Sequence, residues 1–170
     1  MIRGPVVTDM LVKLYDLPQD PSPLPAGITI RRALASEQHQ VVTWASRVFS
    51  QGWADEAAVA FDRRPVACWV ALANRSLAGF CVYDATARGM LGPIGVAEHC
   101  RRRGVGRHLV VKSLQDMAAQ GYAYAVVGWA GPQAFFTRTI GALPIPGSSP
   151  GIYRDRRSNI ADLSPAGDAG

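Results

Sequence analysis

Apolar and polar positions along this chain change period several times, and the changes mark out its elements. Ile28-Thr29-Ile30-Arg31-Arg32 alternates and predicts a strand that opens a compact region. Ser36 is placed to cap a helix reaching Phe49, with Val42, Ala45 and Phe49 along one face. A second helix is expected over 55–63, stopped by Pro65. Two apolar runs, Val66 to Ala73 and Leu77 to Asp84, are separated by Asn74-Arg75-Ser76 and read as a hairpin. A third run, Met90 to Val96, contains Gly92, Pro93 and Gly95. Proline has no N–H for a ladder, so a break in strand pairing is expected near Pro93. Val105, Leu109, Leu114 and Met117 fall at helical spacing, and Gly121 is placed to end that helix. Tyr122 to Trp129 is almost wholly apolar and predicts a strand buried on both faces. Gly131-Pro132 opens a last helix, with Pro132 at its first position, and Gly141 closes it. Leu143–Ile145 and Gly151–Arg154 read as a closing strand pair.

This order of elements describes a mixed α/β sheet, not a doubly wound repeat. Residues 28–154 form the expected domain. Before them, residues 1–27 hold a short strand-like run, Met10 to Tyr15, and then a linker from Pro18 to Gly27 with four prolines. A strand of that kind needs a partner edge. It is expected either to extend the same sheet or to cross to a neighbouring subunit, which makes a homodimer the expected assembly. The segment 155–170 is polar and rich in small residues, and is expected to be a mobile tail.

Composition narrows the function classes. With 170 residues, 48% hydrophobic and 18% charged, the chain suits one globular domain. The net charge of +5 is carried by arginine, since only Lys13 and Lys112 are lysines. Arginine favours bidentate contacts with phosphate or carboxylate. Outside residues 153–157 the arginines are not interleaved with aromatics, so nucleic-acid binding is not expected. Cys68, Cys81 and Cys100 have no C-x-x-C spacing, and neither a disulfide framework nor a metal site is expected. Residues 1–30 lack the basic and apolar regions of a secretion signal, and no apolar run reaches ~18 residues. A cytoplasmic protein without a membrane span is the expectation.

The chemistry concentrates in Arg101-Arg102-Arg103-Gly104-Val105-Gly106-Arg107, which joins the run ending at Val96 to the helix that follows. Glycines let a backbone approach a ligand closely. A helix start aims unpaired N–H groups and a positive dipole end at that ligand. Strand, basic Gly-rich turn and helix N-terminus together describe a phosphate cradle.

The segment from Val96 to Gly106 resembles the acyl-CoA motif of the GNAT superfamily of N-acetyltransferases, V-x-x-x-x-R/Q-x-x-G-x-G/A. Val96, Arg101, Gly104 and Gly106 fill its fixed positions. The element order from Ile28 to Arg154 is also similar to that fold. The resemblance implies a mixed, mostly antiparallel central sheet of about six or seven strands, with a splayed strand pair and flanking helices. It implies acetyl-CoA as co-substrate and a primary amine of a small molecule or peptide as acceptor, joined by direct attack. The pyrophosphate would rest on N–H groups from Arg102 to Arg107, with Arg101, Arg102, Arg103 and Arg107 adding charge around Gly104, Val105 and Gly106. The pantetheine arm would pair with Ile94 and Val96 as an added strand, and the Val96 N–H would face the thioester oxygen.

The chain departs from the family at the leaving group. A tyrosine that many members carry on the last helix is replaced here by Phe136 or Thr137, depending on register, and Gly131 stands where an asparagine is common. Candidate proton donors are Tyr153, Tyr124 and a bound water; candidate bases are Glu56, Asp84 and Glu98. No chemical role is expected of His99 or Cys100. Trp53, placed by this reading in a loop between the first two helices, is the expected aromatic wall of the acceptor pocket. The alternative is a non-catalytic acyl-CoA-binding or sensory module.

Overall fold

The computed structural model describes residues 7–19 and 23–154; the expected mobile tail lies outside them. Seven strands and four α-helices follow one another there: β1 (Thr8–Lys13), β2 (Ile28–Arg32), α1 (Gln38–Val48), α2 (Gln51–Phe61), β3 (Cys68–Ala73), β4 (Ser76–Tyr83), β5 (Met90–Val96), α3 (Val105–Ala119), β6 (Tyr124–Ala130), α4 (Gln133–Ile140) and β7 (Leu143–Pro144). They form one sheet in the order β2-β3-β4-β5-β6-β1-β7. Every neighbouring pair is antiparallel except β5 and β6. This is the mixed sheet that the pattern predicts, and it is mostly antiparallel, as the resemblance implies.

Several elements differ from expectation, each for a physical reason. Ser36 does not cap α1. Residues 35–37 form a 3₁₀ turn, and the Glu37 carboxylate accepts the Leu34 N–H at 2.7 Å while held by Arg31. The second helix starts at Gln51, not Asp55, because Ser50 caps it by accepting the Trp53 N–H at 3.2 Å. Trp53 therefore stands in the first turn of α2 and not in a loop. Pro132 sits one place before α4, as its N-cap. Strand β6 alternates between buried and open positions, with Tyr124 48% and Trp129 37% exposed, so it is not covered on both faces. The closing strand pair does not form. Leu143–Pro144 pairs with β1, and residues 151–153 make a 3₁₀ turn. Prolines at 144, 146 and 150 remove the N–H groups that a second ladder would need. Strand β1 takes the first of its two expected destinations. It lies between β6 and β7 of its own sheet, with Met10 and Val12 fully buried.

Alternation assigns each strand residue to a face. Gly79 pairs with Val96 and lies under α3, where an added Cβ would stand 3.0 Å from Leu109. The next pair, Phe80 and Gly95, lies on the opposite face under α1 and α2. Phe49, Trp53, Phe80 and Trp44 pack there ring on ring, with centroids 4.9–6.3 Å apart. A Cβ on Gly95 would come within 2.5 Å of two Phe49 ring carbons. Gly95→Ala is therefore expected to push Phe49 off Trp53 and to cost about 1–3 kcal/mol of stability. Adding Phe49→Leu should recover part of that loss in thermal melts; an undiminished melting temperature for Gly95→Ala alone would contradict the packing.

The end of α3 is tied to the sheet by a polar cluster remote from the cradle. The Asp116 carboxylate accepts from Arg32 at 2.7 Å, from Tyr83 Oη at 2.6 Å and from Trp69 Nε1 at 3.2 Å. Burial works to raise the Asp116 carboxyl, but the hydrogen bonds from Arg32, Tyr83 and Trp69 together hold it below the ordinary carboxylate range. Burial also pushes the Tyr83 hydroxyl up to about 12, and Asp116 adds to that shift. A carboxyl lowered by folding stabilises the fold fully above its unfolded pKa of about 3.9, and that contribution fades as pH falls through the lower folded value. Between pH 6 and 3 the wild-type melting temperature should fall further than that of Asp116→Asn. Equal falls would show that this carboxylate is uncoupled from folding.

Candidate active site: a groove through the splayed sheet

Strands β5 and β6 pair only at Met90–Val126 and Leu91–Val127. Beyond Leu91 they separate, beside Pro93, where β5 also shifts register against β4. The splay frees particular backbone groups. Ala97 N–H donates to Ala78 O at 2.8 Å. Antiparallel ladders alternate bonded and non-bonded pairs, so Phe80 and Gly95 bond to each other, while Ile94 and Val96 turn their N–H and C=O groups toward the gap. The Val96 carbonyl there accepts Arg101 Nε at 3.1 Å.

The gap opens into a groove of about 650 Å³. Its walls come from both faces of the sheet. Gly104, Gly106 and Phe135 belong to the side of α3 and α4; Ser50, Trp53 and Glu56 belong to α2 on the other side. Pro93, Ile94 and Val96 form the edge between them. A ligand lying in the groove would thus pass through the sheet.

The cradle end is built by backbone conformation. Arg102 and Gly104 both adopt positive φ, 58° and 80°. Gly104 is the N-cap of α3, and a side chain there would be strained by the left-handed backbone although it would meet nothing closer than 3.7 Å. Among the described residues no backbone carbonyl takes the N–H groups of residues 102–107. They stand at a helix start that carries positive potential, beside Arg101, Arg102 and Arg107 on the groove wall. Of the residues expected to hold a cofactor, Ile94, Val96, Arg101, Arg102, Gly104, Gly106 and Arg107 come together. Arg103 is exposed and off the wall, and the Val105 side chain is buried in the core beneath the turn.

The proton-transfer candidates separate clearly. Phe136 is buried and lines the groove, whereas Thr137 is exposed and donates to Ala142 O at 3.1 Å. The helix register thus leaves α4 without a proton donor at the groove. Tyr153 reaches it instead, from the 3₁₀ turn after β7. Its ring lies against Trp129 at 4.3 Å, and its hydroxyl stands 3.3 Å from the point where a Cβ on Gly128 would be. Glu56 lines the groove and accepts the Thr86 hydroxyl at 2.6 Å. Asp84 does not reach it. That carboxylate is buried and accepts the Gly89 N–H at 2.6 Å and the Tyr122 hydroxyl, closing the β4–β5 turn. Tyr124 lies outside the groove, with its hydroxyl 3.2 Å from that of Tyr15. Glu98 and His99 are exposed and Cys100 is buried, none on the wall. Among the described residues no group of histidine, cysteine and carboxylate side chains could hold a metal, and no helix is long and apolar enough to cross a membrane.

The sequence pattern does not single out Ser50 or Thr86 on the groove wall, nor Asp9 beside it. Asp9, on β1, is 8% exposed, and its Oδ1 accepts the Trp129 N–H at 2.9 Å. Trp129 has a φ of 44°, rare for a bulky residue. Asp9 holds that strained backbone, and the Trp129 indole donates to Pro150 O at 3.2 Å. Ser148 joins the same loop to β1 through the Asp9 N–H and Thr8 Oγ1. For Asp9 the available signal was an acid directly before the apolar run Met10-Leu11-Val12. It lay in a segment that reads as peripheral.

Comparison with known proteins agrees with this geometry. Residues 36–141 match the model of the Acetyltransferase (GNAT) family. No curated protein matches the chain. Among solved structures, a glucosamine N-acetyltransferase region of a fungal multi-domain β-N-acetylglucosaminidase superposes with a TM-score of 0.66 at 17% identity, covering 82% of this chain and 20% of that one. A GCN5-related N-acetyltransferase from Sphaerobacter thermophilus gives 0.63 at 19% identity, over 82% and 48% of the two chains. One from Kribbella flavida gives 0.60 at 22%, over 81% and 54%. The chain thus spans about half or less of the length of these proteins, and likeness at such identity concerns the fold. Because the family match runs from the 3₁₀ turn before α1 through the splayed strand and the cradle to the end of α4, this chain belongs to the GNAT family of acetyltransferases.

Proposed function

We propose that the chain transfers an acetyl group from acetyl-CoA to a primary amine of a small molecule or peptide by direct attack. The observation that carries this reading is the groove through the sheet, with open N–H groups at one end and a carboxylate and a phenol at the other. The residues present fit the co-substrate. N–H groups of 102–107 with Arg101, Arg102 and Arg107 suit a diphosphate, and the gap-facing groups of Ile94 and Val96 suit an amide-rich arm.

An amine must arrive neutral at nitrogen, so Glu56 takes a proton from the incoming ammonium and passes it to water. The nitrogen then bonds to the thioester carbon. A backbone N–H facing the gap stabilises the charge developing on the thioester oxygen; that of Ile94 suits this better than that of Val96, which stands at the diphosphate end of β5 beside Arg101. The nitrogen gives up its second proton to water, the carbon–sulfur bond breaks with its electron pair going to sulfur, and Tyr153 protonates the leaving thiolate before regaining a proton from solvent. One ammonium and one thioester become one amide, one thiol and one proton. Direct transfer needs no protein nucleophile, which agrees with the burial of Cys68, Cys81 and Cys100.

The second reading, a non-catalytic acyl-CoA-binding or sensory module, is favoured by Phe136, which removes the proton donor from α4. Incubation with acetyl-CoA and a broad panel of primary amines separates the two. Thiol release matched by acetylated amine supports the transferase; binding of acetyl-CoA with no release across the panel supports the module.

A further inference from the structure

Resting on the acetyl-transfer reading, we infer that the acceptor is a small monocationic amine with a flat apolar body and no acidic group. Charge along the groove is divided. Among the described lining residues the only carboxylate is Glu56, and the only cations are Arg101, Arg102 and Arg107. Thr86, which donates to Glu56, precedes β5, and the arginines follow it. Seven strand residues at ~3.3 Å each place the two ends about 20 Å apart. Glu56 is half-buried, and among the described residues no cationic side chain pairs with it. A half-buried carboxylate answered only by a neutral hydroxyl is an unfilled place for a cation.

The walls near Glu56 define the rest of the ligand. Trp53 lies one helical turn from it on α2, stacked on Phe49 at 4.9 Å and 27°. Across the groove stand Trp129 and Tyr153, held as a pair by Asp9 and Pro150. Aromatic faces favour flat apolar groups and attract cations. An acceptor carrying its own carboxylate would meet Glu56 with no arginine, lysine or histidine on that part of the wall. A peptide would bring several amide groups, and of the hydroxyls on that part of the wall Thr86 already donates to Glu56 and Ser50 already accepts the Trp53 N–H.

The test uses the full chain, acetyl-CoA and matched acceptors. 2-Phenylethylamine should exceed phenylalanine, which adds only a carboxylate, by about 100-fold in kcat/KM, and should also exceed ethylamine, which lacks the ring. Glu56→Gln should shrink the phenylethylamine-to-phenylalanine ratio to about tenfold or less. A ratio cancels any loss of rate that both substrates share, so it separates charge selection from proton removal. A wild-type ratio near one, a ratio unchanged by Glu56→Gln, or a phenylalanine-led tripeptide acetylated as fast as 2-phenylethylamine would overturn the acceptor class while leaving acetyl transfer standing. No thiol release with any amine would overturn the acetyl-transfer reading and this inference with it.

Discussion

Gly104→Asp is expected to weaken acetyl-CoA binding by at least ~100-fold with the fold retained, and Gly104→Asn by about tenfold or less. Both replacements tolerate the left-handed backbone that Gly104 adopts at φ 80° better than other side chains do. Both are good N-caps, and aspartate at a helix start is itself stabilising, so lost affinity could not be blamed on a frayed α3. The two differ in charge. A carboxylate placed where the diphosphate would lie repels it at short range, with the nearest protein atoms of that site, those of the His108 ring, 3.7 Å from a Cβ. Calorimetric titration of both variants checks the comparison. Equal affinities for aspartate and asparagine would mean that no phosphate rests on this turn.

Tyr153→Phe is expected to lower the single-turnover rate of thiol release by about 100-fold, the lower range for loss of a general acid. Phenylalanine keeps the ring against Trp129, so acetyl-CoA affinity should hold. Phe136 stands on the α4 wall of the same groove. Restoring a phenol there, as Phe136→Tyr in the Tyr153→Phe background, should recover part of the rate. Full activity in Tyr153→Phe would assign thiolate protonation to water and leave Tyr153 as wall.

Which parts of this site were legible in the chain follows from the range of the interactions that build it. The cradle is local. Strand, Gly-rich turn and helix start lie within twelve residues from Val96 to Arg107, and each is written in residue type. The splay was legible because Pro93 cannot complete a ladder. The register of α4 follows from its burial: Phe136 is packed and Thr137 is open, which one residue of sequence ambiguity could not settle. The opposite end of the groove depends on distant pairs. Asp9 meets Trp129 across 120 positions, and Thr86 meets Glu56 across 30. The first depends on β1 entering the sheet between β6 and β7, and the second on α2 lying over the turn between β4 and β5; no local pattern announces either. Asp84 illustrates the reverse: a carboxylate at the end of a hairpin is first a turn residue, and its two hydrogen bonds leave it in that role.

The central claim is that a diphosphate lies on the open amides at the start of α3 while its arm runs into the gap beside β5. A ¹H–¹⁵N titration of the full chain with coenzyme A tests it most directly. The amides of residues 102–107, with those of Ile94 and Val96, should shift together and saturate along one binding curve. Shifts confined to other residues, or none at saturating coenzyme A, would contradict the account.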